Sequence, residues 1–140
     1  MSRRPDQLLK LARMLMRPTA VNLDCADPLA LADFYHRATG LPLHERSDGE
    51  FAGVGGGDGG LLLGFQRVDG YRPPSWPGQD VPQQLHLDFD VDDLDEAVAR
   101  LVEWGATVPE PQPRPDLWRV LLDPAGHPFC LSPRKRRGGS

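Results

Sequence analysis

One segment of the sequence carries polar side chains at alternate positions. In "QLHLDFDV", residues 84–91, the polar members after the first residue are His86, Asp88 and Asp90. Alternation with a period of two is typical of a half-buried β-strand, in which every second side chain projects from the same face. Imidazole and carboxylate groups on one face can transfer protons, attract a cation or ligate a metal ion. This face is therefore either ordinary wet surface or the lining of a cavity that uses these groups.

An earlier strand, "AVNLDC", places Asn22 and Asp24 on one face by the same rule. The apolar positions of both strands must bury against helices, so we expect the polar positions to line one concave cup. Asn22 and Asp24 would then face His86 and Asp88. Carboxylates that face each other disfavour joint ionisation, which predicts a raised pKa for one of the two aspartates. The predicted acid–base residues are Asp24, His86 and Asp88.

Aromatic and thiol side chains could complete such a site. Trp76 lies in a Pro-rich loop, where a ligand lid is the favoured interpretation, and Trp118 begins a late strand that could face either core or cleft. Both would offer flat contact area and cation–π attraction. Cys130 is either a buried inert thiol or a ligand-facing group. The predicted ligand-binding residues are Asn22, Asp24, Trp76, His86, Asp88, Trp118 and Cys130.

A duplicated plan of strands and helices positions these residues. Residues 23–27 align with residues 89–93 at an offset of 66, a helix follows both, and the two helices end at Gly40 and Gly105. Three strand candidates follow each helix. Such a repeat predicts an α+β fold of two tandem βαβββ units, at about 19–70 and 84–133, in one domain over residues 19–133. An amphipathic helix is expected over residues 1–18, and a basic, disordered tail over residues 134–140.

Charge and composition narrow the class of partner. The 140 residues have a net charge of −4, yet residues 18–133 hold seven basic and nineteen acidic side chains, a charge of −12. Such a body disfavours nucleic acid and favours cationic or neutral ligands. We expect no membrane span and no export signal, so the two cysteines predict a cytoplasmic protein without disulfides. "GGGDGG" at 55–60 is rejected as a dinucleotide site because a strand follows it.

The duplicated units resemble the vicinal-oxygen-chelate superfamily, which includes glyoxalase I, bleomycin-resistance proteins and extradiol dioxygenases. The resemblance rests on "DPLALADFYHRATGLPL", "HLDFDVDDLDEAVARLVEWGA" and the closing "LLDPAGHPFCLSP", and it covers roughly residues 19–133. It implies a curved, barrel-like mixed sheet and a homodimer that shares two clefts. The fold hosts many chemistries, so the resemblance alone does not select an activity.

The family's metal ligands map poorly onto this chain. The resemblance places one ligand on His86, but Ala20 stands at the equivalent place in the first unit and Cys130 replaces the usual glutamate. "LLLGF" offers no ligand at all. A divalent ion needs three or four nitrogen, oxygen or sulfur ligands, so we expect no metal and no other cofactor. The alternative is a rebuilt site, in which His86 acts with Asp24, Asp88 or Cys130.

Three functions therefore stay open, and the sequence does not decide between an enzyme and a binder. The first is binding or sequestration of an organic small molecule, cationic or aromatic, in an acidic, aromatic-edged cup without the family metal. The second is a metal-independent isomerase, cyclase or lyase that uses aspartate and histidine as acid and base. The third is a metal-dependent lyase or dioxygenase with substituted ligands.

Overall fold

The computed structural model describes residues 4–12 and 15–134; the predicted tail from 135 onward lies outside this range. The helices are α1 (Pro5–Ala12), α2 (Pro28–Thr39) and α3 (Leu94–Glu103). The strands are β1 (Ala20–Cys25), β2 (Phe51–Gly55), β3 (Leu62–Arg67), β4 (Leu87–Val91), β5 (Arg119–Leu122) and β6 (Pro128–Pro133). None of the described helices is long and apolar enough to cross a membrane.

The strands form two three-stranded sheets with the same topology. In the first sheet the order is β1–β3–β2, and in the second it is β4–β6–β5. The first strand of each unit is parallel to the last, and the last is antiparallel to the one before it. The predicted α+β fold with a tandem repeat is therefore confirmed. The first of the three strands expected after each helix is reduced to a single bridge, Leu43 with Val54 and Thr107 with Leu122.

The two sheets do not close into a barrel. Among the described residues no strand of the first sheet pairs with a strand of the second. Unpaired edges therefore remain between the units, and side chains rather than backbone hydrogen bonds must hold the units together. This arrangement differs from one continuous curved sheet, although the order of elements is as expected.

Both long helices begin directly after an aspartate that caps them. Asp27 accepts a hydrogen bond from the Ala30 amide at 3.1 Å, with Pro28 in the first helical turn. Asp93 accepts one from the Glu96 amide at 2.9 Å. Such caps satisfy amides that have no partner inside the helix. The caps fix the direction in which the chain passes from β1 into α2 and from β4 into α3.

Helix α2 joins the two units through aromatic packing. Tyr35 stacks on Phe65 of the first sheet, with ring centroids 5.4 Å apart, and its ring lies 6.3 Å from Phe129 of the second sheet. Phe34 also packs on Phe129 at 6.1 Å. Aromatic contacts at these separations add to the free energy gained by burying the rings. The core of both units is therefore continuous through one helix.

A buried hydrogen bond reinforces this joint. The Tyr35 hydroxyl donates to Asp123 at 2.7 Å, and Asp123 is only 3% exposed. The same carboxylate accepts hydrogen bonds from the Ala125 and His127 amides in the turn between β5 and β6. Burial raises the pKa of the Asp123 carboxyl and, with Asp123 beside it, that of the Tyr35 hydroxyl. The bond ties α2 of the first unit to the last hairpin of the second.

We expect Tyr35→Phe to lower the free energy of unfolding by about 1–3 kcal/mol, because a buried acceptor loses its donor while the aromatic packing stays. Chemical denaturation followed by circular dichroism measures this change. Thr39→Val, which removes a hydroxyl bonded locally to the Tyr35 carbonyl, serves as a control with a smaller expected loss. Equal losses in the two variants would contradict the role assigned to the Asp123 contact.

We also expect Asp123 to make stability depend on pH. Its pKa is raised in the folded state, so its contribution is fully present below the unfolded value of 3.8 and is lost as pH rises through the folded value. Asp123→Asn keeps the acceptor oxygen but cannot ionise. The free energy of unfolding of Asp123→Asn, relative to wild type, should therefore rise with pH across this window. Denaturation at a series of pH values tests it, and a constant difference would refute the expectation.

Candidate functional site

A cleft of about 380 Å³ lies on the face of the second sheet that points away from the helices. Alternation along β4 creates it, because Leu87 and Phe89 pack toward the core while Asp88 projects from the opposite face. We call it the tryptophan cleft. Its main side chains are Trp76, Gln83, His86, Asp88, Trp118 and Cys130.

Three side chains of types that ligate metal ions or transfer protons lie together on the floor of the tryptophan cleft. His86 Nε2 lies 3.3 Å from Asp88 Oδ1. Cys130 is the register partner of Asp88 on the parallel strand β6, so its thiol lies beside that carboxylate. One donor atom from each residue falls within 4.8 Å of the others. Burial, with a smaller contribution from Asp88, raises the pKa of the Cys130 thiol.

This set of donors fits a divalent ion. Imidazole nitrogen, carboxylate oxygen and thiolate sulfur together are typical of zinc-like ions with tetrahedral coordination. Gln83 lines the same cleft, and its Oε1 is buried without a hydrogen-bond partner among the described residues. The cluster corresponds to the alternative site predicted from His86, Asp88 and Cys130. Asp24 is not part of it.

The two tryptophans form apolar edges to this polar floor. Trp76 comes from the Pro-rich loop, and Trp118 immediately precedes β5; both are half-buried and line the cleft. Val120 and Pro128 continue the apolar wall between them. The structure thus places Trp118 in the cleft rather than in the core. A role for either ring in ligand contact stays a prediction.

Asn22 and Asp24 lie elsewhere. They line a separate groove of about 280 Å³, together with Tyr71, Arg72 and His127. The segment 81–85 borders this groove, and its Gln83 also borders the tryptophan cleft. The structure therefore does not bring Asp24 together with His86 and Asp88 in one cleft. The physical reason is that the two sheets are not joined by strand pairing and part of the linker stands between their polar faces.

A polar network lies beside Asp24 that no sequence pattern predicts. His127 Nε2 lies 2.6 Å from the Asp24 carbonyl oxygen and 3.2 Å from the Tyr71 hydroxyl, which donates to the Ala125 carbonyl at 2.8 Å. The contacts join residues up to 103 positions apart, so no local pattern could reveal them. They anchor the start of the Pro-rich linker to the turn between β5 and β6.

Four other aspartate, tryptophan and cysteine side chains lie outside the tryptophan cleft. Asp90 and Asp92 each lie 3.6 Å from the Arg134 guanidinium, at the solvent end of β4. Trp104 packs against the core and beneath the Arg100 guanidinium, which lies 5.7 Å from its ring. Cys25 is buried, and burial raises the pKa of its thiol to about 11. These side chains therefore serve packing or surface ion pairing.

Comparisons with known proteins agree on the fold. The family model of a glyoxalase-like domain matches residues 20–132. A structure of a possible glyoxalase from Bacillus cereus is 22% identical, covers 84% of this chain and 98% of its own, and superposes with a TM-score of 0.61. A glyoxalase/bleomycin resistance protein/dioxygenase family enzyme from Burkholderia phytofirmans PsJN is 23% identical, with coverages of 82% and 96% and a TM-score of 0.60.

A third similar structure holds a ligand. The bleomycin-binding protein of Streptomyces verticillus, complexed with copper(II)-bleomycin, is 19% identical, with coverages of 87% and 99% and a TM-score of 0.52.

No curated protein matches the sequence. The family model runs from the first residue of β1 to the last but one of β6, so it takes in both units and leaves out α1. The chain therefore belongs to the glyoxalase-like domain family of the vicinal-oxygen-chelate superfamily.

Proposed function

We propose that the protein binds an organic small molecule, cationic and in part aromatic, in the tryptophan cleft. The observation that carries this proposal is the placement of Trp76 and Trp118 at the edges of a floor that exposes Asp88. Flat apolar rings bind planar groups and attract cations over their faces. An exposed carboxylate adds charge attraction for an ammonium or guanidinium group.

The charge around the cleft supports a cationic ligand. Among the described residues that line it there is no lysine and no arginine. The surrounding body, residues 18–133, carries the net charge of −12 noted above. A field of one sign concentrates ligands of the opposite sign and speeds their association. A carboxylate or phosphate ligand would find hydrogen-bond donors such as His86 and Gln83 there, but no lysine or arginine among the described lining residues and a repelling carboxylate in Asp88.

Binding without turnover is favoured over acid–base catalysis by the position of Asp24. The second function needed Asp24, His86 and Asp88 around one ligand, whereas Asp24 borders a different groove. His86 and Asp88 by themselves lie close enough for one proton transfer between them. The fold relationship to a bleomycin-binding protein is consistent with sequestration as the function. We also propose a cytoplasmic location, where Cys25 and Cys130 would stay unpaired.

The cluster of His86, Asp88 and Cys130 supports a second candidate, metal-dependent chemistry. A divalent ion held there would act as a Lewis acid on a ligand oxygen. His86 would contribute a neutral imidazole nitrogen, and Asp88 a carboxylate oxygen. Cys130 would have to lose its proton first, since the thiolate is the metal-binding form. The apolar edges would then orient the organic part of the ligand.

We expect Asp88→Asn to weaken the binding of a planar aromatic amidinium such as benzamidine by about 10–100-fold, since a charged hydrogen-bond partner is lost. Trp118→Ala should weaken it as well. Asp90→Asn, on the same strand but outside the cleft, is the matched control and should bind as wild type does. Titration calorimetry with copper-loaded and copper-free bleomycin as further probes extends the test. Unchanged affinities in Asp88→Asn would overturn the proposed site.

We expect any affinity for Zn²⁺ or Co²⁺ to rise with pH. The raised pKa keeps the Cys130 thiol protonated at neutral pH, so the ion must displace one proton and its affinity should increase about tenfold per pH unit below that pKa. Calorimetry at several pH values measures the slope, and a thiolate-to-cobalt charge-transfer band reports the ligand directly. Cys130→Ser should remove both the band and this part of the slope. Absence of any stoichiometric binding in wild type would exclude the second candidate and leave the first.

A further inference from the structure

One side chain of the tryptophan cleft has a polar atom that the fold leaves without a partner. The Oε1 atom of Gln83 is buried, and no described residue donates a hydrogen bond to it. It is the one buried side-chain nitrogen or oxygen of this kind among the residues that the structure describes. Buried polar groups in folded proteins are paired with few exceptions, so an exception calls for a physical explanation.

Hydrogen-bond donors lie in the same walls, yet none of the described ones reaches this oxygen. Gln83 lines both the tryptophan cleft and the neighbouring groove of about 280 Å³. In the cleft, His86 Nε2 lies 3.3 Å from the Asp88 carboxylate. In the groove, the Tyr71 hydroxyl donates to the Ala125 carbonyl at 2.8 Å. These donors therefore serve other acceptors.

The backbone next to Gln83 is held by two hydrogen bonds. The Ser75 amide donates to the Val81 carbonyl at 2.6 Å, and the Val81 amide donates to the Ser75 hydroxyl at 3.3 Å. Pro82 follows, with a fixed φ and no amide hydrogen to offer the glutamine oxygen. A shift of the linker that paired the oxygen would strain these bonds, whereas a donor that enters the cleft would leave them intact.

An unpaired buried oxygen lowers the stability of the free protein and favours binding of a donor. Its desolvation cost is present before binding, so a ligand that donates to it gains the full hydrogen bond. Rotation about the last side-chain torsion of glutamine, which has a broad minimum, can turn the oxygen from its enclosed position toward the cleft. Residues that lower stability are commonly retained where function needs them.

We propose that Gln83 determines ligand specificity in the tryptophan cleft, where its carbonyl oxygen accepts a hydrogen bond from a neutral N–H group of the ligand. The inference rests on the proposed function and narrows it. Asp88 attracts the cationic group, and Trp76 and Trp118 contact the planar part. Gln83 then selects molecules that carry a second N–H donor. An aminoalkyl indole combines these groups.

The first measurement needs no ligand. Gln83→Met keeps the length of the side chain and removes the buried oxygen, so the midpoint of chemical denaturation should rise. Gln84→Met is the matched control, because Gln84 is exposed and lines the neighbouring groove but not the cleft. Its midpoint should not change. A lower or unchanged midpoint in Gln83→Met, or failure of that variant to fold, would show that the oxygen is already paired and would overturn the proposal.

The second measurement uses two ligands that differ at one nitrogen. Tryptamine carries an ammonium group and an indole N–H; in 1-methyltryptamine a methyl group replaces that indole hydrogen. Calorimetry should show that wild type binds tryptamine about tenfold more tightly than 1-methyltryptamine. Gln83→Met should bind the two equally, whereas Gln84→Met keeps the preference. A preference that survives in Gln83→Met would come from the size of the methyl group and would refute the role of Gln83.

The two measurements together separate a binding role from a structural one. A residue that only supports the fold would lose stability when replaced, whereas Gln83→Met should gain stability and lose selectivity. Asp88→Asn should weaken the binding of both ligands and leave the preference for tryptamine.

The same titrations separate this inference from the proposed function. Weaker binding of both ligands to Asp88→Asn, without any preference for tryptamine in wild type, would support the proposed cleft and refute the role of Gln83. If neither ligand bound to wild type, both proposals would be refuted for this class of ligand.

Discussion

The structure depends on the contact between the Tyr35 hydroxyl and the buried carboxyl of Asp123. The two sheets share no strand pairing among the described residues, so this hydrogen bond and the rings around it hold the units together. A buried carboxyl is costly unless its oxygens are bonded, and Asp123 meets this need with Tyr35 and two turn amides. The same turn leads into β6, which presents Cys130 beside Asp88. The position of Cys130 in the tryptophan cleft therefore depends on this contact in the core.

Local patterns in the sequence predicted the elements well. Alternation identified β1 and β4, and the repeat predicted a helix after each of them, because periodicity depends on neighbours along the chain. The same alternation placed His86 and Asp88 on one face. The position of Cys130 next to Asp88 follows from parallel pairing of β4 with β6, which the repeat of units implies.

Local patterns could not predict how the two units lie relative to each other. The expectation that Asp24 faces Asp88 assumed one continuous cup, whereas the segment 81–85 borders the groove of Asp24 and Gln83 also borders the tryptophan cleft. That segment has no periodicity, and its path depends on contacts such as Tyr71 with His127 across 56 positions. Whether Trp118 packs inward or lines the cleft was equally undetermined, since a residue at a strand start can project to either side.

The two units of the repeat also differ in how much of their surface the helices cover. The first unit is closed by α2, and its strands contribute mainly packing. The second unit is thinly covered: one face of β4 borders the tryptophan cleft, the other borders a groove of about 510 Å³ beside α2 and α3, and Asp88 lines both. Helix α2 buries five residues, whereas α3 buries only Leu101, and no residue of β4 is fully buried. The same plan of strands and helix thus yields one unit whose first strand has buried residues and one whose first strand stays accessible on both faces.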